Sequence, residues 1–376
     1  MTPAAPTIVT LGDNATSIWG MSNTERARRM AKAGKLPFGD IAPDAGAALL
    51  VNLAFAFDPA WLAFMRERPG LILTLGGRAV LGHVDDRHSA DRADVVASMR
   101  ENRMLPPLSA AETRAVEDGI ELHNAQLRKR ERPFILPLDS TTVRAVERAS
   151  YVGAYKGVTD LLTKYLWPEL ALHLTRLAAW LGLSPNGVTA IGALLCVAAT
   201  FAFFDGRYWL GLALGFGFMV LDTVDGKLAR CTLTSSWWGN IFDHGIDIVH
   251  PPFWWWAWGA GLAAYGRALP GETFMLALGT IVGGYVLQRA IEGRFMRSFG
   301  MHIHVWQKID SQFRLITARR NPNMVILFLS LLAGRPDLGF VAVAWWTVAS
   351  LVFHLVRLVQ ASAVRARGQP ILSWLA

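Results

Sequence analysis

The sequence predicts an α-helical integral membrane domain of about six transmembrane helices, preceded by a soluble α/β domain. The chain of 376 residues is 52% hydrophobic and only 18% charged, below the roughly 25% charge of an average soluble domain. Apolar segments of roughly 20 residues, enough to cross a bilayer, recur from residue 187 onward. The first half instead alternates short apolar runs with polar helical stretches, which is typical of α/β domains.

Residues 1–140 are expected to form the soluble domain. Four apolar runs have the length of strands buried on both faces, namely Thr7–Leu11, Ala47–Leu53, Leu71–Leu75 and Phe134–Leu138. Three polar stretches between them are expected to be helices, namely Glu25–Ala33, Pro59–Arg68 and Ala90–Asn102. This alternation predicts a parallel sheet covered by helices. The charged segment Ala110–Arg132 is interpreted as a solvated surface helix.

Residues 141–183 are interpreted as a linker with interfacial amphipathic helices. Ser140 can cap a helix that covers Arg144–Lys156, and Lys164–Leu181 carries apolar residues at helical spacing. An amphipathic helix of this kind lies either in the plane of the membrane interface or against the soluble domain. Both alternatives remain open from the sequence.

Residues 184–362 are expected to form the six-span domain, followed by a cytoplasmic tail over 363–376. The spans are placed near 187–204, 208–225, 237–262, 272–291, 322–335 and 339–360. Basic residues concentrate in 289–320 and near the C-terminus, so both regions are expected on the cytoplasmic side. The first 20 residues do not resemble a signal peptide. We therefore expect a multi-pass protein of a bacterial inner membrane, with its N-terminus and site in the cytoplasm.

The formal charge of +8 does not indicate nucleic-acid binding, because the basic residues flank apolar spans. Attraction to anionic lipid headgroups explains them more simply. Fifteen Trp residues, many of them in the second half, are typical of the aromatic belts at membrane surfaces. Cys196 and Cys231 have neither a disulfide nor a metal-ligand pattern and are expected to be buried, apolar residues.

Four carboxylates interrupt two adjacent spans near the cytoplasmic face. Asp222 and Asp225 are three residues apart, and Asp243 and Asp247 are four apart, so each pair shares one face of a helix. A short turn between the helices lets the two pairs converge. Ionised groups at membrane depth are costly, and four together repel one another unless a cation lies among them. Divalent cations bound by oxygen ligands are the simplest solution.

Two cations between carboxylates are a recurring device for displacement at phosphorus. Gly226, Ala229 and Gly239 leave room for a ligand near the backbone, and Arg230 has a guanidinium group suited to phosphate. Two other classes of protein are alternatives. An ion-conducting transporter also uses intramembrane acids, but it needs no phosphate-binding arginine. A catalytically silent membrane scaffold has no need of all four aspartates.

The run Asp222-x2-Asp225-Gly226-x2-Ala229-Arg230-x8-Gly239-x3-Asp243-x3-Asp247 resembles the signature of CDP-alcohol phosphotransferases in every specified position. The resemblance covers residues 184–360. It implies metal-dependent transfer of a substituted phosphate from a CDP-alcohol to an alcohol acceptor with release of CMP, in phospholipid or polar-lipid synthesis. One of the two substrates is then expected to be a lipid, and the protein a homodimer.

The resemblance also implies roles for individual residues. The four aspartates would hold two divalent cations, Mg²⁺ or Mn²⁺, and Asp247 would also be the base that deprotonates the acceptor hydroxyl. The resemblance implies contacts to the CDP portion from the entry to the first span, from the signature and from a small hydroxyl residue near it: Asn186, Gly187, Val188, Thr189, Gly226, Arg230 and Ser236.

The overall layout resembles fusions of inositol-phosphate cytidylyltransferase with di-myo-inositol-phosphate-phosphate synthase. The soluble domain would then be related to nucleotidyltransferases. Residues 11–20 lack the Gly-x-Gly-x-Arg loop of that family, however, and Asn52-Leu53 stands where a metal-binding carboxylate would fall. We therefore expect a degenerate, non-catalytic relative with a structural or binding role.

Overall fold

The computed structural model describes residues 5–39, 41 and 45–376. The strands in these residues are β1 Thr7–Leu11, β2 Ser17–Ile18, β3 Met21–Ser22, β4 Phe38–Gly39, β5 Ala48–Asn52, β6 Phe55–Phe57, β7 Leu71–Leu75, β8 Arg78–Val84, β9 Glu112–Ala115, β10 Leu122–Asn124, β11 Lys129–Glu131 and β12 Ile135–Pro137. The α-helices are α1 Asn23–Ala33, α2 Ala60–Arg66, α3 Ser89–Arg100, α4 Val143–Gly153, α5 Pro168–Trp180, α6 Pro185–Phe204, α7 Tyr208–Cys231, α8 Trp237–Gly261, α9 Gly271–Phe299, α10 Lys308–Arg314, α11 Arg320–Leu332 and α12 Pro336–Ala366.

The four predicted strands are confirmed, but the largest sheet of the described residues is mixed rather than parallel. Its order is β4-β1-β5-β8-β7-β9. Strand β1 runs parallel to β4 and β5, whereas β8 lies antiparallel between β5 and β7. The reason is the short connection from β7 to β8, where Gly76 and Gly77 both have positive φ. A two-residue turn joins only antiparallel neighbours.

Both faces of the sheet are covered. Val95 and Met99 of α3 pack on one face, and Met30 of α1 and Trp61 of α2 pack on the other. This burial on both sides explains why the strands read as continuous apolar runs. The three predicted helices of this region are confirmed, with α1 and α3 beginning two residues and one residue before the predicted stretches.

The expectation of a helix over Ala110–Arg132 is wrong. The segment contains strand β9, which pairs in parallel with β7, and the hairpin of β10 and β11. Gly119 adopts a φ of 79°, in the left-handed region, and this conformation ends any helix that reaches it. Charge alone indicated a solvated segment, and a charged, solvated segment can form a hairpin as well as a helix.

The linker region forms α4 and α5 with a π-helical turn, Leu162–Leu166, between them. Helix α4 begins after Thr142 rather than Ser140, because the Asp139 carboxylate accepts the backbone N–H groups of residues 141 and 142. Helix α5 packs on α7, where the Trp167 Nε1 donates to the Thr223 hydroxyl at 3.1 Å. On α5, Trp180 is 80% exposed. An exposed apolar residue of this kind is expected on a helix at the membrane interface.

Four helices of the described residues are long and apolar enough to cross a membrane: α6, α7, α9 and α12. The other two predicted spans exist as helices but do not meet this criterion. Helix α11 has only 13 residues, and α8 carries Asp243, His244 and Asp247 in its first half. Large apolar side chains such as Leu194, Leu276 and Trp345 are more than 70% exposed. These four helices and their exposed apolar surface indicate an integral membrane protein.

The soluble domain and the membrane helices share a buried core. Ile18, Ala56 and Leu138 belong to the same cluster as Val224 and Leu228 near the C-terminal end of α7. The soluble domain therefore lies directly against the end of the helix that carries the first Asp pair.

Candidate active site

Three of the four predicted aspartates converge. Carboxylate oxygens of Asp222, Asp243 and Asp247 lie within 4.8 Å of one another. Asp222 projects from α7, and the other two project one turn apart from α8. The i,i+4 spacing predicted this common face, and the short connection between the two helices brings it opposite Asp222.

Asp225 lies one turn further along α7 and points toward α6. Its Oδ2 accepts a hydrogen bond from the Thr189 hydroxyl at 2.5 Å, and its Oδ1 accepts the Gly226 N–H at 2.5 Å. Thr189 itself was predicted as a ligand contact, so the structure places it beside a member of the acidic site. Asp225 is outside the group of three carboxylates in the described chain.

Arg320, at the start of α11, bridges two of the carboxylates. Its Nη2 donates to Asp222 at 2.7 Å and its Nη1 donates to Asp247 at 2.8 Å. Sequence reasoning did not identify this residue. The available signal was a cation at the start of an apolar helix, and a charged group at membrane depth needs a partner. Nothing in the local sequence indicates that its partners lie 98 and 73 residues away.

A cavity of about 530 Å³ opens beside Asp225 and Asp243, within the size range of ligand sites. We call it the donor-side cavity. Five of the residues that the family resemblance assigned to the nucleotide line it: Asn186, Thr189, Gly226, Arg230 and Ser236. Gly187 and Val188 are not brought to it. The Gly187 N–H donates to the Ser184 hydroxyl, and Val188 is buried between helices.

Two helix N-termini face this cavity. Ser184 caps α6, and Ser236 caps α8 by accepting the Gly239 N–H at 3.0 Å. A Cβ at Gly239 would lie 2.7 Å from the Asn186 Oδ1, so a glycine is needed for the two helix starts to meet. Unpaired N–H groups and the helix dipole make such N-termini favourable for anions. The donor-side cavity thus suits a phosphorylated ligand.

A second cavity, of about 540 Å³, lies on the other side of Asp243; we call it the acceptor-side cavity. Asp247 lines this cavity and not the first, Asp225 lines the first and not this one, and Asp243 lines both. Of the three converging carboxylates, Asp247 is the most accessible, with a side chain 42% exposed against 30% for Asp243 and 18% for Asp222. The two cavities therefore meet at the acidic site.

The acceptor-side cavity is rich in cations. Arg128 from the β10–β11 hairpin, Lys156 and Arg314 all line it. The Nε and Nη1 atoms of Arg314 are buried without a hydrogen-bond partner in the described chain. Burial lowers the pKa of Arg314 to about 9 and that of Lys156 to about 8, and neighbouring arginines add to both shifts.

The basic segment 289–320 is partly internally paired. The Arg319 guanidinium contacts Glu292, and Arg289 lies 3.3 Å from the same carboxylate. The His304 Nε2 also lies 3.4 Å from a carboxylate oxygen of Glu292. These pairs fix the wall of the acceptor-side cavity, so only part of the positive charge in the segment is free to meet a ligand or the membrane.

The ligand atoms that the acidic site offers are suited to divalent cations. Three carboxylates within 4.8 Å offer hard oxygen ligands, which Mg²⁺ and Mn²⁺ prefer. The bridging Arg320 supplies a single positive charge to this group. Two further positive charges, the charge of one divalent cation, are needed to balance the three acids when all are ionised.

Comparison with known proteins agrees with this site. Residues 182–298, which contain α6 to α8, all but the last residue of α9 and all four aspartates, match the model of the CDP-alcohol phosphatidyltransferase family. Cholinephosphotransferase 1 of Homo sapiens is 33% identical over 141 residues, covering 34% of this chain and 32% of the relative. The same enzyme of Gallus gallus is 36% identical, covering 32% and 38%. Archaetidylinositol phosphate synthase of Pyrococcus horikoshii is 27% identical over 195 residues, covering 50% and 93%.

The fold and the four carboxylates define a multi-span membrane domain with an acidic site where two cavities meet. The family match lies on this domain, which is similar to CDP-alcohol phosphatidyltransferases, among them cholinephosphotransferases and an archaetidylinositol phosphate synthase. The chain spans about a third of the length of the cholinephosphotransferases it matches. The soluble domain lies outside the family match.

Proposed function

We propose that this chain catalyses metal-dependent transfer of a substituted phosphate from a CDP-alcohol to an alcohol acceptor, with release of CMP, in phospholipid or polar-lipid synthesis. The observation that carries the proposal is the division of the acids between two adjoining cavities. Asp225 faces the donor side, Asp247 faces the acceptor side, and Asp243 is shared. A transfer between two substrates needs this arrangement.

Asp222, Asp225, Asp243 and Asp247 would hold two divalent cations, Mg²⁺ or Mn²⁺. Such ions, when bound, neutralise charge on the transferring phosphate and favour displacement at phosphorus. Arg230 lines both cavities and would bind phosphate oxygens with its guanidinium group. Asn186, Thr189 and Ser236 would orient the nucleotide at the two helix starts.

Asp247 is the proposed base. It takes the proton of the acceptor hydroxyl, whose oxygen then forms a bond to the phosphorus that carries the donor alcohol. The bond from that phosphorus to the CMP oxygen breaks, and CMP leaves with the bonding electron pair. The exposure of Asp247 on the acceptor side supports this role.

The acceptor-side cavity favours an acceptor that carries a negative charge. Arg128, Lys156 and Arg314 make no ion pair among the described residues, and each lines the cavity. A neutral acceptor would leave these cations uncompensated, whereas a phosphate or carboxylate group satisfies them. A diacylglycerol-like acceptor, without such a group, is the alternative.

The test is release of CMP by the detergent-solubilised chain. The purified protein would be given CDP-diacylglycerol or CDP-inositol and a panel of alcohol acceptors, with Mg²⁺. We expect chelator to abolish release, and Mg²⁺ or Mn²⁺ to restore it. Full turnover in excess chelator would contradict the mechanism, and ion flux through proteoliposomes without CMP release would favour a transporter. Light scattering on the same sample tests the proposed homodimer.

A further inference from the structure

One wall of the donor-side cavity comes from the soluble domain. Trp19, Gly20 and Met21, from the hairpin of β2 and β3, line it together with Arg29 of α1. These residues are more than 150 positions before the segment that matches the family. The membrane domain therefore does not enclose this cavity alone.

The hairpin has an unusual turn. Trp19 and Gly20 connect paired residues Ile18 and Met21, and their φ values are 53° and 75°. Two-residue hairpin turns with positive φ at both positions prefer Asn-Gly, and a bulky residue in this conformation is a genuine outlier. Strained backbone of this kind is concentrated at binding and catalytic sites.

The Trp19 side chain is only 4% exposed and packs in the core shared with the membrane helices. Its indole Nε1–H is buried and has no hydrogen-bond partner in the described part of the chain. Buried donors are nearly always satisfied. Trp19 lines the donor-side cavity, so this unsatisfied donor belongs to a side chain in the cavity wall.

Arg29 adds a cation to the same wall. Its Nε donates to Glu25 at 2.8 Å, and its Nη1 donates to the Thr232 carbonyl at 2.8 Å, just beyond α7. The guanidinium is thereby held between α1 and the membrane domain. Its neighbour Arg28 pairs with the same Glu25 but does not line the cavity.

We propose that the soluble domain forms part of the donor-binding site, and that Trp19 and Arg29 bind the CMP portion of the donor. The proposal deepens the proposed function and rests on it for the identity of the nucleotide. It gives the soluble domain a role in donor recognition that requires no reaction of its own.

The first test compares Trp19→Phe with the parent protein. Phenylalanine keeps most of the packing and removes an N–H that has no internal partner, so the melting temperature should change little. If the N–H binds the donor, calorimetric affinity for CMP should fall by about 2- to 10-fold, the range for one hydrogen bond. KM for the CDP-alcohol should rise in parallel, with KM for the acceptor unchanged.

Trp61→Phe is the matched control. The Trp61 Nε1 donates to the Pro133 carbonyl at 3.3 Å inside the soluble core, away from the cavity. This variant should lower the melting temperature and leave CMP affinity unchanged.

A second pair separates binding from folding. Arg29→Ala should weaken CMP binding by about tenfold, as expected for a hydrogen bond to a charged group, whereas Arg28→Ala should not. Equal CMP affinity in Trp19→Phe, Arg29→Ala and the parent, or no CMP binding by the parent, would overturn the inference. Absence of CMP release by the parent would instead refute the proposed function, because the binding measurement does not depend on turnover.

Discussion

Arg320 donates to Asp222 at 2.7 Å across 98 residues of sequence, which ties the start of α11 to the first Asp pair on α7. The same guanidinium reaches Asp247 at 2.8 Å. The acidic site is thus partly neutralised by the protein itself. An arginine at the start of the apolar helix α11 can be tolerated here because the cation has two carboxylate partners.

Removing this cation should make the fold depend on divalent metal. In Arg320→Ala the two carboxylates lose their shared partner, and breaking a buried pair costs about 3–5 kcal/mol. We expect a clear fall in the melting temperature in chelator and a smaller fall in excess Mg²⁺. Arg335→Ala, which breaks the pair of the 42% exposed Arg335 side chain with Asp337 away from the acidic site, is the control and should change little. A metal-independent loss in Arg320→Ala would contradict this account.

The proposed base predicts a separation of binding from turnover. Asp247→Asn keeps the volume and one oxygen but removes the basic site, so CMP release should fall by about 10²–10⁴. CMP affinity should change little, because Asp247 does not line the donor-side cavity. Asp205→Asn, an exposed position after α6, controls for the substitution. Turnover within a few-fold of the parent would place the base elsewhere. A monodisperse mutant is required before either result is interpreted.

The parts of the site that could be predicted from sequence are local. The i,i+4 spacing of Asp243 and Asp247 fixes their common helix face without knowledge of the tertiary structure. The expectation that both pairs converge is only partly correct, because Asp225 points toward α6 and Asp222 toward α8. Arg320 and Trp19 could not be found in this way. The contacts of Arg320 with the acids and of Trp19 with the donor-side cavity depend on how distant elements pack.

The same distinction applies to the soluble domain. The apolar runs predicted four strands because burial on both faces leaves a local signal. Strand β8 was not predicted. It lies antiparallel between β5 and β7 and therefore makes the sheet mixed rather than parallel. The hairpin of β10 and β11 was interpreted as helix because its charged residues hide the alternation of a strand. That hairpin brings Arg128 to the acceptor-side cavity.

An acidic acceptor should bind less well above pH 8. The pKa of Lys156 is lowered to about 8, by burial first and then by Arg128, so its charge is lost above that pH. Unfolding of the protein above pH 8 would not explain this loss of acceptor binding. An unfolded lysine has a pKa of about 10.4, so the unfolded chain binds more protons between about pH 8 and 10, and the contribution of Lys156 to stability rises with pH there.

The measurement is KM for a phosphorylated acceptor between pH 6.5 and 9.5. In the parent we expect KM to rise above about pH 8, and in Lys156→Met we expect a high, flatter profile. Arg128→Ala should raise the same KM at all these pH values. Arg130→Ala should not, because Arg130 lies on the same hairpin outside the cavity. Equal use of charged and neutral acceptors by all four proteins would refute an anionic acceptor.

The soluble domain is expected to have no nucleotidyltransferase activity. Asn52 is the last residue of β5 and stands where active nucleotidyltransferases would have a metal-binding carboxylate. The residue is only 1% exposed. Its Nδ2 donates to the Ala79 carbonyl at 2.9 Å, and its Oδ1 accepts the Ala54 N–H at 2.9 Å. The side chain therefore holds the sheet together.

The full chain would be incubated with CTP, Mg²⁺ and candidate alcohol phosphates, and pyrophosphate release measured against a no-protein control. We expect no release. Asn52→Asp is the informative variant: a carboxylate cannot donate to Ala79, so the variant should lower the melting temperature by burying an unpaired charge, without creating activity. Pyrophosphate release by the parent above the control, lost in Trp61→Phe and retained in Asp247→Asn, would show instead that the soluble domain is itself an enzyme.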